Sequence, residues 1–90
     1  MDIQIQGGRD VMNQWVDVAV KGKAGQLVAN VTTVLDGFVL ADEDLSPPED
    51  SYQRTWHQVG TGIPNQTHKV VVTAVDDQGK QESASRTWQD

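Results

Sequence analysis

An all-β chain, folded as a two-sheet antiparallel sandwich of about seven short strands, is the architecture this sequence predicts. Three observations point to it. Short runs alternate apolar residues, mostly valine, with polar ones, which is the two-residue period of a half-buried strand. Clusters of Gly, Asp, Pro and Asn interrupt these runs at intervals of about 8–12 residues. No stretch carries the apolar spacing of an amphipathic helix.

In chain order, Ile3 and Ile5 alternate with polar neighbours in a short edge strand that the Gly7-Gly8 pair should break. Residues 1–10 are thus expected as a loosely attached edge strand or linker within a single domain spanning 1–90. Val16, Val18 and Val20 share one face of the next strand, with Trp15, Asp17 and Ala19 on the other, and Gly22 and Gly25 bracket a turn. Residues 27–35 are the longest β-rich run, with Val28, Val31, Thr32, Thr33 and Val34 all β-branched. Asp36-Gly37 then stands between two apolar runs and supplies the positive φ angles of a type I′ hairpin turn, with Phe38–Leu40 as the returning strand.

Residues 42–50 carry five acids and Ser46-Pro47-Pro48; prolines donate nothing to a ladder and like charges repel, so this segment is expected as a solvated loop. Tyr52–Val59 alternates once more, and Gly60, Gly62, Pro64 and Asn65 mark a second loop. His68–Val75 and Gln81–Trp88 form a closing hairpin around Asp76–Gly79, where Asp76 accepts backbone N–H bonds and Gly79 takes the positive φ. The core expected from these phases is Val16, Val18, Val20, Val31, Leu35, Trp56, Val70, Val72 and Ala74.

At 90 residues the chain makes one domain, which buries roughly 60–65% of the surface its unfolded form exposes. It has no cysteine, so its core must suffice without disulfides and no thiol chemistry or cysteine zinc site exists. Net charge is −6, and five of the 13 acids (Asp42, Glu43, Asp44, Glu49, Asp50) lie in one segment; without them seven basic residues face eight acidic ones. Such a balance does not suit a phosphate backbone, so no nucleic-acid partner is expected. No apolar run approaches membrane-spanning length and the first residues lack the basic-then-apolar pattern of a signal peptide, so the two readings are a cytoplasmic protein or, preferred here, a module of a longer chain with an added Met1, and no membrane insertion is expected.

The run 18–24, the run 28–37 ending in Leu35-Asp-Gly37, Trp56, and the stretch His68–Gly79 follow one another in an order that resembles the immunoglobulin-like or fibronectin-III-like modules of secreted bacterial hydrolases, depolymerases and adhesins. The likeness covers most of residues 16–88 and implies an immunoglobulin-like sandwich, a non-catalytic accessory role and an extracellular or cell-surface location. In related modules a Tyr or His at the position of His68 bonds back to the preceding loop. A second resemblance is to the immunoglobulin-like dimerisation domain of molybdenum-dependent sulfite oxidases; here Leu35-Asp-Gly37 lacks the second Gly and the Trp that usually follow, and Asp90 comes directly after Trp88-Gln89.

Few residues suggest chemistry. His57 and His68 have no further ligand at a zinc-binding offset, and none of the serines (46, 51, 83, 85) sits in a Gly-x-Ser-x-Gly elbow, so no enzyme is expected. Asp42, Asp44, Glu49 and Asp50 are the best metal candidates, since calcium takes six to eight oxygens, although the central Gly of an EF-hand loop is missing. No other cofactor is implied. Trp15, Tyr52 and Trp88 are the candidate ligand-binding residues, because aromatic faces stack on sugar rings. Arg54, Lys69 and Arg86 are placed on an outer sheet face as partners for nearby acids. Asn30-Val-Thr32 and Asn65-Gln-Thr67 match the glycosylation sequon by coincidence, the first lying mid-strand. The expected function is a spacer, docking or protein-interaction module whose partners are neighbouring domains of the same chain or another protein. The alternatives are a carbohydrate- or polymer-binding module and a dimerisation domain.

Overall fold

The computed structural model describes residues 1–10, 13–59 and 66–89. Seven strands follow one another: β1 (Asp2–Asp10), β2 (Asn13–Lys21), β3 (Val28–Leu35), β4 (Phe38–Glu49), β5 (Ser51–Val59), β6 (Thr67–Asp76) and β7 (Gln81–Gln89). They form two antiparallel sheets ordered β1-β2-β5 and β4-β3-β6-β7. With the fourth strand beside the third rather than in the β1-β2-β5 sheet, this is the fibronectin-III arrangement of an immunoglobulin-like sandwich. The loop at 60–65, with the Asn65 sequon, lies outside the described residues.

The two-residue period decides the layers. β2 and β6 alternate buried and part-exposed positions along their length. The buried apolar residues are Ile5, Val16, Val18, Val20, Val28, Val31, Leu35, Trp56, Val70, Val72 and Ala74, which includes every core residue expected above and adds Ile5 and Val28. Seven of these eleven are valine, and β-branched side chains suit this position because they keep one rotamer on a pleated surface. The folded surface is 5440 Å², against roughly 14,000 Å² for an unfolded chain of this mass, so about three-fifths of the chain's surface is buried.

Three expectations are corrected. The Gly7-Gly8 pair does not break β1, which pairs with β2 continuously from Asp2↔Lys21 to Asp10↔Asn13. Residues 42–49 are not a loop but the greater part of β4, an edge strand. There β4 places four residues (45–48) between the partners Asp44 and Glu49 where β3 places one (Ala29) between Asn30 and Val28, and Pro47-Pro48 lie within this bulge, where no ladder donor is needed. The acids ride on a strand that must not invite another to pair, a placement that tolerates their mutual repulsion. Finally, Arg54 and Arg86 do not share an outer face: Arg54 pairs with Glu43 across one seam between the sheets, and Arg86 donates to the Ile5 carbonyl (3.1 Å) across the other.

Turn chemistry follows the sequence closely. Asp36 and Gly37 both take positive φ (51° and 85°), as a type I′ turn needs. The Asp36 carboxylate does more than turn the chain: Oδ1 accepts from the Lys69 amide (2.8 Å) and Oδ2 lies 2.6 Å from Nδ1 of the buried His68, tying the β3–β4 turn to the start of β6. At the other pole the Asp76 carboxylate accepts from the backbone amides of Gln78 (2.9 Å) and Lys80 (2.8 Å) on Oδ1 and from Gln26 Nε2 (3.0 Å) on Oδ2, while Gly79 takes φ 80°.

These bonds favour the charged form of Asp76: the Gln26 amide first, then the Lys80 amide, hold its pKa below the ordinary value of 3.8. A pKa lower in the folded than in the unfolded chain contributes stability above the unfolded value, and that contribution is lost as pH falls through the folded one. The denaturation midpoint of the protein should therefore drop below about pH 4, and less steeply in Asp76→Asn. Equal acid slopes for the two proteins in urea melts would show that Asp76 does not carry this dependence.

Candidate functional site

The sandwich is closed along one side by β1 and β7. Met1 meets Glu82, Ile5 meets Arg86, and Gly7 lies under the ring of Trp88, so the two strands run in the same direction across the seam. β1 therefore starts at the pole that holds the Gly22–Leu27 and Asp76–Lys80 turns, and β7 ends at the pole that holds Asp36-Gly37 and His68. The molecule measures 42 × 19 × 18 Å. Phe38 and Val39, 77% and 63% exposed, stand at the second pole.

The three candidate aromatic residues do not share a face. Trp88 turns inward: its Nε1–H donates to the buried Gln14 side chain (3.1 Å), its ring centroid lies 5.8 Å from that of His68, and it covers Gly7. Tyr52 is half-buried at the rim of the core, and burial pushes its phenol pKa up. Its hydroxyl has no hydrogen-bond partner among the described residues. Trp15 alone faces outward, on the solvent side of β2, with its indole over Gly8 of β1. Trp56 fills the core as expected, with the Arg54 guanidinium 5.2 Å from its ring centroid.

The four acids proposed as metal ligands are divided between two places. Asp42 and Asp44 project from the outer side of β4 and share the Asn30 amide, which donates to both (2.9 and 2.7 Å). Thr32 adds a bond to Asp42 (3.0 Å), and the Asn30 bond followed by the Thr32 bond holds the Asp42 pKa low. Glu49 and Asp50 lie past the proline bulge, where the Asp50 carbonyl accepts from Gly22. Asn30, the sequon residue, is thus spent on the acids. Among the described residues no three His, Asp or Glu side chains converge as a metal site would require.

The outer side of β1-β2-β5 is more promising. Strand register sets its side chains in cross-strand rows: Gly8–Trp15, then Gln6–Asp17–Thr55, then Gln4–Ala19–Gln53, then Asp2–Lys21–Ser51. Thr55 Oγ1 donates to Asp17 Oδ1 (2.9 Å). The lower two rows line a shallow depression of about 230 Å³ floored by Ala19. A bulge in β5, with Gln58 at φ 59°, leaves His57 exposed. Sequence reasoning found Trp15 but not this face, because only the register shows which polar residues stand beside it.

No family model matches the chain, and no curated protein matches it. Among solved structures, the chain is similar to fibronectin(III)-like modules of CbhA from Clostridium thermocellum, with a TM-score of 0.48 and 15% identity over 93% of this chain and 92% of that one.

The inward and outward tryptophans can be told apart by their glycines. A Cβ on Gly7 would come within 2.5 Å of the Trp88 ring, which Gln14 and His68 hold in place; a Cβ on Gly8 would meet Trp15 at 3.0 Å on the solvent side. Gly7→Ala should cost about 1–3 kcal/mol in urea unfolding and Gly8→Ala clearly less. Equal losses would contradict the inward placement of Trp88.

Proposed function

We propose that the chain is a non-catalytic accessory module, a rigid spacer that also presents a docking pole to its neighbours within a larger secreted or surface protein. The observation behind this reading is that β1 and β7 run parallel along a bonded seam, so the polypeptide enters at one pole and leaves at the other. From Asp2 to Gln89 it advances about 20 Å along the strands, taking about 3.3 Å per residue. Force or displacement applied through the chain acts along strands whose ladders lie across it. The exposed Phe38 and Val39 stand at the pole where β7 ends, on the opposite edge of the same sheet, and are the apolar surface that pole offers to a neighbouring domain.

The chain's lack of cysteine makes the test direct. Asp2→Cys/Gln89→Cys, spin-labelled at both positions, should give one narrow distance distribution centred at about 20–30 Å, unchanged up to the onset of unfolding. A broad or two-peaked distribution would overturn the spacer reading, since a seam that opens cannot hold neighbours at a fixed separation.

A further inference from the structure

We propose that the outer face of β1-β2-β5 is a binding trough for a neutral, extended β-linked polysaccharide chain, seated along β2 from Trp15 to Lys21. This proposal is independent of the spacer reading, because it concerns a sheet face and not the poles.

Four features of that face argue for a sugar. The indole of Trp15 packs closely against Gly8, whose missing side chain makes room for it; a Cβ there would sit 3.0–3.2 Å from three adjoining ring atoms. Trp15 is only part-buried on the solvent side of β2, so aromatic surface is left on which the C–H face of a pyranose can stack. The next row supplies hydroxyl-binding groups at a fixed position: Thr55 holds one oxygen of Asp17 (2.9 Å) and leaves the other to accept, with the Gln6 amide across from it. Beyond that, Ala19 is small where its neighbours Gln4 and Gln53 are long, which makes the depression of about 230 Å³. The fourth feature is direction: the rows follow a single strand from Trp15 to Lys21, about 20 Å at the usual rise.

The same inventory selects the class of ligand. A straight trough fits an extended β-linked chain and not the coil of an α-linked glucan. Asp2 and Asp17 against the single Lys21 disfavour a polyanion. A protein partner would need apolar area, and the rows offer only Trp15 and Ala19 amid amides and hydroxyls, whereas the core of a protein interface is rich in aromatic residues and Met. Packing against Gly8 accounts for the position of Trp15, but not for the hydrogen-bonding floor with a depression at its end that the rows beside it present.

The test is a titration of the ¹⁵N-labelled protein with soluble β-1,4-linked gluco-, xylo- and manno-oligosaccharides, with a malto-oligosaccharide and a polyuronate as controls. With at least one β-linked series, the Trp15 indole N–H and the amides of Gln6, Asp17, Gln53 and Thr55 should shift saturably, while the Trp56 and Trp88 indoles stay in place. The controls should bind at least about tenfold more weakly. Ala19→Arg, which fills the depression, and Trp15→Leu, which keeps a side chain over Gly8, should each weaken binding about tenfold with the fold intact by the same spectra. Absence of shifts on this face with every β-linked series would overturn the proposal. So would unchanged binding by Ala19→Arg, or a Trp15→Leu variant that loses stability but not binding, which would leave Trp15 as a cover for Gly8 only.

Discussion

Contact between two layers of β-branched side chains is the constraint on which this structure depends. Val16, Val18 and Val20 on one sheet and Val31, Val70, Val72 and Ala74 on the other are fully or almost fully buried, and the chain has no disulfide to hold its sheets together without them. Burial of such side chains is worth about 1.5–3 kcal/mol each, set against the ordering of the backbone that carries them. Small, rigid residues keep the layers close. The few larger groups admitted between them each have a stated place: Trp56 in the middle, and Trp88, His68 and Gln14 as a bonded cluster at one end.

Function is what this packing leaves free. Because the core occupies one side of every strand, chemistry must come from the outer faces, the edges or the poles. The edges are blocked in different ways: β1 and β7 close on each other through Arg86 and Trp88, and β4 carries acids and a proline bulge. The poles deliver the chain in line, and the face that carries Trp15 stays open. The proposed spacer and polysaccharide-binding roles would thus use separate surfaces of the same body, and neither would need the sheets to move.

Much of the fold was legible in the residues. Val16/Val18/Val20 and Val70/Val72/Ala74 declared their phase by strict alternation, and Asp36-Gly37 and Asp76–Gly79 declared their turns by the conformations they alone take cheaply. What was hidden was non-local. Prolines and acids at 42–50 argue for a loop only if the strand is central; on an edge, with a bulge, they are compatible with β structure. Gly7-Gly8 is a breaker in isolation but a landing site for two indoles once Trp15 and Trp88 are placed on opposite faces. The inward turn of Trp88 has the same non-local origin: it depends on a side-chain acceptor 74 residues away, Gln14. The candidate site was legible only as one residue, because Asp17, Gln6 and Thr55 join Trp15 through pairing register and not through spacing.

The central claim, that a dry valine interlayer holds the two sheets, is tested most directly by exchanging methyl for hydroxyl within it at constant volume. Thr33 is fully buried and its hydroxyl has no partner among the described residues, while Val16 is fully buried and apolar and pairs across its strand with Gly7 and Trp56, away from Thr33 and its partner Val72. Unfolding free energies of Thr33→Val and Val16→Thr should move in opposite directions, the first gaining and the second losing about 1–3 kcal/mol. If Val16→Thr were as stable as the parent, water or a polar partner would reach the interlayer, and the account of how this sandwich is held together would be wrong.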